Sequence, residues 1–138
     1  MKSAVDTSQR DRLENLKSIP LFSSLSESTL ERILDCAGEF EAGAEHVLVQ
    51  PNQTGAGLFI IEEGKVAVEL RDRTVELGPG EFFGEIALLV EGGLHMARVR
   101  TLTPVRCLAI SRDNFTKLLE DDHRLTLAIL KVVARRLV

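Results

Sequence analysis

The sequence predicts a mainly β fold with flanking helices, a small antiparallel barrel or jelly roll, from three observations. All ten glycines lie between Gly38 and Gly93, so turn-forming freedom is confined to the middle of the chain. That middle alternates short apolar runs with turn signals, the rhythm of a small antiparallel barrel. The flanks lack glycine and carry leucines and isoleucines at helical spacing. At 138 residues and 44% hydrophobic composition, the chain has the length and character of one globular domain with a core. The expected division is a single domain over residues 1–138, with N-terminal helices in 1–38, the barrel in 39–110 and C-terminal helices in 111–138.

The elements follow in order. Leu13 and Leu16 fall in a short helix that Pro20 follows, and Leu21-Phe22 form an apolar plug. Ser26 is a good N-cap for a helix whose face is Leu30, Ile33, Leu34 and Ala37, and Gly38 stands where a helix stops. Strands are expected at His46–Gln50 and Leu58–Ile61. After the turn Glu62-Glu63-Gly64-Lys65, Val66, Val68 and Leu70 alternate with Ala67 and Glu69. Arg71-Asp72-Arg73 turns the chain into Val75 and Leu77, and Gly78-Pro79-Gly80 breaks it. A gap of about a dozen residues holds Phe82 to Leu89, and strands resume at Ala97–Val99 and Val105–Ile110. Ser111 can cap a helix with Phe115, Leu118 and Leu119, and Asp122 a last helix with Leu125, Ile129, Val132, Val133 and Leu137 on one side.

Charge and composition exclude several functions. The net charge is −4, which argues against wholesale nucleic-acid binding, since that needs a basic face to displace counterions. No stretch approaches the apolar length of a membrane span, and the N-terminus lacks the apolar region of a secretory signal. Cys36 and Cys107 read as free thiols of a cytoplasmic protein. The charge is uneven: residues 39–91 carry 3 basic and 11 acidic groups, net −8, whereas 92–138 are net +5. An anion site in the middle segment therefore needs local help.

Chemistry converges on Gly78 to Leu89, GPGEFFGEIALL. Gly80 and Gly84 permit turns and close backbone approach. Ile86-Ala87-Leu88-Leu89 can open a short helix, whose free amides favour a phosphate, while the Glu85 carboxylate suits a hydroxyl donor such as a ribose. A phosphorylated sugar asks for both. The competing reading makes Gly84-Glu85 a turn and Ile86, Leu88 and Leu89 core, and composition leaves both open.

Several ordered segments resemble one family. Leu21-Phe22-Ser23-Ser24-Leu25-Ser26, the hairpin Phe59 to Val66, Leu77 to Leu88, Ala97-x-Val99, Val105-x-Cys107-Leu108, Ser111 to Phe115 and Ala134 to Leu137 are similar to the cyclic nucleotide-binding domain family, at its spacings and over nearly the whole chain. The resemblance implies a double-stranded β-helix (jelly-roll) barrel of the cyclic nucleotide-binding type with a phosphate-binding cassette at residues 78–97. It implies that Glu85 accepts the ribose 2′-OH, and that the amides of Gly84, Ile86 and Ala87 approach the sugar-phosphate. The ligand implied is cAMP or cGMP, with no other cofactor and no metal.

The sequence departs from the family at the cassette arginine. Anchoring on Ala97 and Val99 puts His95 in its place, Met96 where a small residue is usual, and Ala97 after it. Arginine is permanently charged and binds two phosphate oxygens with a planar fork, whereas a free imidazole is mostly neutral at pH 7. Arg98, the candidate substitute, is an odd offset from His95 in a strand and should point to the other face, where it reads, with Arg100 and Arg106, as a solvated strand arginine; a bulge from the extra residue in the cassette would instead turn it to the ligand.

The expected function is a non-enzymatic regulatory domain that binds cAMP or cGMP weakly. The alternative is a ligand-free domain of the same fold acting as a protein-interaction module. Output is expected through a partner protein or self-association by the C-terminal helix. A cupin-like metal enzyme needs clustered ligands, which His46, His95 and His123 do not offer by spacing.

Overall fold

A computed structural model describes residues 4–53, 57–84 and 97–137. The chain forms two compact units: Ala37–Thr116, and the flanking segments up to Cys36 and from Lys117.

The first unit holds eight strands in two four-stranded antiparallel sheets. These are β1 (Gly38–Ala42), β2 (Val47–Val49), β3 (Gly57–Glu63), β4 (Val66–Glu69), β5 (Thr74–Leu77), β6 (Phe82–Phe83), β7 (Arg98–Thr101) and β8 (Val105–Ser111). One sheet runs β1-β8-β3-β6 and the other β2-β7-β4-β5. Both sheets supply one core, in which Ile61, Phe83, Val105 and Cys107 meet Val49, Val66, Leu77 and Val99. This is the expected jelly-roll layout, and β3, with Leu58, Ile60 and Ile61 all buried, is covered on both faces rather than alternating. Two strands were not expected. Gly38 begins β1 instead of only ending a helix, and the alternation Glu39-Phe40-Glu41-Ala42 pairs with Leu108 to Val105. Phe82-Phe83, placed in the gap by the sequence, pair with Ile60 and Phe59.

Thr101 staples the second sheet. It is fully buried; its hydroxyl accepts from the His46 amide at 2.8 Å and donates to the Gly43 carbonyl at 2.7 Å. Thr101→Val keeps the shape but strands both backbone groups. The expected cost is about 2 kcal/mol, read from the shift in urea midpoint; an unchanged midpoint would show that water replaces the hydroxyl.

The second unit holds α1 (Ala4–Ser18), a 3₁₀ turn (Pro20–Phe22), α2 (Glu27–Cys36), the end of α3 (Arg112–Asp121) and α4 (His123–Leu137). Its buried residues include Leu13, Leu16, Phe22, Leu30, Ile33, Leu125 and Ile129. All three expected caps form. The Ser26 hydroxyl accepts from the Thr29 amide at 3.3 Å, Ser111 from Asn114 at 3.3 Å, and Asp122 from the Arg124 and Leu125 amides at 2.9 and 3.2 Å.

Asp122 also accepts the Thr29 hydroxyl at 2.7 Å. Partial burial works to raise its pKa, but the Thr29 bond, the two cap amides and the Arg124 charge hold it below its ordinary value. A carboxyl lowered in the folded state contributes stability that is present above its unfolded pKa and is lost as pH falls through the folded one. Below about pH 4, Asp122→Asn should therefore flatten the acid limb of the stability curve. Parallel acid limbs for the two proteins would remove Asp122 as a source.

Candidate functional site

The site candidates sit where the chain passes from one sheet to the other. β6, an edge strand of the first sheet, ends at Phe83, and β7, an inner strand of the second, begins at Arg98. Residues 84–97 connect them, so this segment bridges the two sheets.

Its approach is tightly bound. The Gly80 amide donates to Ile61 O at 2.8 Å, the Ile61 amide to Glu81 O at 2.9 Å, and the Glu81 carboxylate accepts from the Gly78 amide at 3.2 Å. Phe82 and Phe83 are buried, and Phe83 stacks on Phe59 at 5.1 Å, with Phe40 edge-on to Phe59 at 5.7 Å. Beyond this aromatic anchor comes Gly84, with φ +96°. A Cβ there would lie 2.7 Å from Gly57 O. Gly57 is tight in turn, since its own Cβ would meet Ile110 O at 2.6 Å. Both positions are glycine because backbone lies against backbone.

Of the sequence candidates, Gly84 and Ala97 are thus placed at the two ends of the bridging segment. Glu85, Ile86, Ala87, His95 and Met96 lie outside the described residues. Ala97 is half-buried at a bend before β7.

The β7 guanidiniums face away from the core. Val99 is buried in it, while Arg98, paired across β4 with Glu69, donates to that carboxylate at 2.8 Å. Arg100 follows on the same face, 2.6 Å from Glu45 and 3.6 Å from Glu69. The Arg98 hydrogen bond and the two positive charges hold the Glu69 carboxyl below its usual range, against some desolvation. Arg106 is likewise ringed, by Glu63 at 2.8 Å, Glu39 at 3.5 Å and Glu62 at 3.8 Å. All three arginines keep part of their side chains in solvent, as expected of strand arginines, and all three are also ion-paired, through strand register that local sequence does not reveal.

A separate open groove of about 420 Å³ is lined by Glu41, Ala42, Gly43, Glu63, Pro104, Val105 and Arg106, and contains none of the sequence candidates. Among the described residues no group of three His, Cys, Asp or Glu is placed to hold a metal ion. Both cysteines are free thiols; burial, helped by the Glu62 charge, pushes Cys107 up to about 11. No helix among the described residues is long and apolar enough to cross a membrane.

Comparison with known proteins agrees with this layout. The family model for the cyclic nucleotide-binding domain matches residues 39–122. A Drosophila melanogaster cGMP-dependent protein kinase, isozyme 2, is 33% identical over 122 residues, covering 82% of this chain and 13% of the kinase. The chain therefore spans only a small part of that relative. The regulatory domain of Toxoplasma gondii PKA, solved with cAMP, superposes with a TM-score of 0.70 at 28% identity, over 86% of this chain and 46% of that one. The regulatory subunit of a cAMP-independent protein kinase A from Trypanosoma brucei superposes at 0.82 with 23% identity, over 96% and 48% of the respective chains, a likeness of fold.

Proposed function

The chain belongs to the cyclic nucleotide-binding domain family, and from that premise we propose that it is a non-enzymatic, cytoplasmic regulatory module that binds cAMP or cGMP weakly. Glu85 takes the ribose 2′-OH, the amides of Gly84, Ile86 and Ala87 approach the sugar-phosphate, and His95, flanked by Met96 and Ala97, stands where the family carries an arginine. No cofactor beyond the nucleotide is needed, and α4 carries the output to a partner or a second copy.

The observation that carries this reading is Gly84. Its positive φ and the nearness of the Gly57 carbonyl, which leaves no room for a Cβ, support a close backbone turn at the glycine that the resemblance puts within the cassette. Weakness of binding is supported by the outward arginines of β7. Arg98 and Arg100 are engaged with Glu69 and Glu45, which leaves the phosphate to His95 and backbone amides.

Isothermal calorimetry with cAMP and cGMP tests the reading. Binding should be tighter at pH 6 than at pH 8, because a bound phosphate favours the imidazolium. Arg98→Ala, which breaks an exposed pair, should leave affinity within about twofold. A tenfold loss in that variant would bring Arg98 into the site.

A further inference from the structure

Helix α4 has two faces. Leu125 and Ile129, in the first half of the apolar side that the sequence gives this helix, are buried within the chain. On the opposite side Leu127 and Leu130 are 50% and 60% exposed. With exposed His123 and Ala134 they repeat at intervals of four and three residues, the spacing of a seam for a second helix. Arg124, Lys131 and Arg135 run along one edge of this stripe, and the helix contains no Asp or Glu.

Part of that charge has a local reason. Arg135 and Arg136 sit in the last turn, where cations complement the helix dipole. Arg124 lies in the first turn, where the helix dipole disfavours a cation; its charge acts on Asp122 and its guanidinium donates to Ser24 O at 3.3 Å. Lys131 is exposed at mid-helix and forms no ion pair among the described residues.

We propose that this face of α4 docks an acidic amphipathic helix of a partner protein, with apolar side chains on Leu127 and Leu130 and carboxylates along the Arg124-Lys131-Arg135 edge. Charge complementarity selects this occupant. A second copy packed antiparallel would set the two basic rows against each other. Packed parallel, it would offer them Thr126 and Val133, neither of which carries a carboxylate. An anionic bilayer fits poorly, because an interfacial helix inserts a broad apolar face and here Leu125 and Ile129 are buried. The proposal rests on α4 as the output surface and is independent of nucleotide binding.

The test titrates the full chain, without nucleotide, with a labelled synthetic helix of about three heptads, leucine at a and d and glutamate at e and g. A second peptide carries lysine at e and g. Fluorescence anisotropy should give micromolar binding of the acidic peptide and about tenfold weaker binding of the basic one. The double variants Leu127→Glu/Leu130→Glu and Arg124→Glu/Lys131→Glu should each lose about tenfold for the acidic peptide, and the second should gain for the basic peptide. Thermal melts report that both variants fold. Equal binding of the two peptides, no binding of the acidic one at millimolar concentration, or binding that survives Leu127→Glu/Leu130→Glu overturns the proposal. So does sedimentation showing a dimer that the leucine variant dissolves, which would assign the face to a second copy. Flotation with phosphatidylserine vesicles lost in that variant would assign it to a membrane and equally overturn it. Because no nucleotide is present, any of these failures leaves the calorimetric reading of the cassette untouched.

Discussion

Replacing His95 with arginine is expected to tighten cAMP or cGMP binding at pH 8 by roughly 30-fold to several-thousand-fold, the equivalent of about 2–5 kcal/mol for a charge-assisted contact in a site shielded from water. The guanidinium is charged at any working pH and can hold two phosphate oxygens, whereas the imidazole is shorter, offers one donor towards the ligand and is mostly neutral at pH 8. The pH dependence supplies the internal control. The native chain should gain affinity from pH 8 to pH 6 as its imidazole protonates, so the advantage of the arginine should shrink at pH 6. Equal affinities of the two proteins at pH 8 would mean that the phosphate is held without position 95. No heat with either nucleotide at millimolar concentration, even for the arginine variant, would sink the nucleotide reading and leave the fold as a protein-interaction module.

Gly84→Ala should cost about 3 kcal/mol of folding stability and abolish measurable nucleotide binding. Two penalties combine. A side chain at φ +96° is strained whatever the space around it, and the new Cβ would lie 2.7 Å from Gly57 O. That oxygen belongs to backbone which is itself pressed on Ile110, so it cannot yield without moving β3 against β8. Gly78→Ala is the control. Nothing lies within 4 Å of a Cβ at Gly78, and the substitution should shift the urea midpoint by less than about 1 kcal/mol equivalent. If the two variants melted alike, the bridging segment would be less firmly tied to β3 than its contacts indicate.

The parts of this molecule that were legible in its sequence are those fixed by near neighbours. Ser26, Ser111 and Asp122 each satisfy amides two or three residues ahead, so the residue type and the apolar run behind it suffice to place a helix start. Strands β3, β4 and β8 announce themselves by apolar runs bounded by turns. β1 was missed although Glu39-Phe40-Glu41-Ala42 alternates, because Gly38 was read for its helix-stopping role alone. β6 is two residues long, and what makes it a strand is its pairing with Ile60 and Phe59, some twenty residues away. The ion pairs of Arg98 and Arg106 belong to the same class, since cross-strand register chooses their partners. For the site, Gly84 could be singled out by its motif, but its reason for being glycine, the carbonyl of Gly57, is a long-range fact. The other cassette candidates, apart from Ala97, lie outside the described residues and rest on the resemblance.

The order in which the two units are completed has a consequence for biosynthesis. The sheet unit is one continuous stretch, Ala37–Thr116, and all its pairings can close once that stretch has left the ribosome. The helical unit is split between the two ends of the chain. Its bonds from Thr29 to Asp122, Arg32 to Asp121 and Arg124 to Ser24 span 93, 89 and 100 residues. The N-terminal helices of this unit are therefore secured after the sheet unit, and until residue 124 emerges Thr29, Arg32 and Ser24 wait without their C-terminal partners. During translation this nascent chain should offer a chaperone its N-terminal segment, and release it only when the last helix arrives.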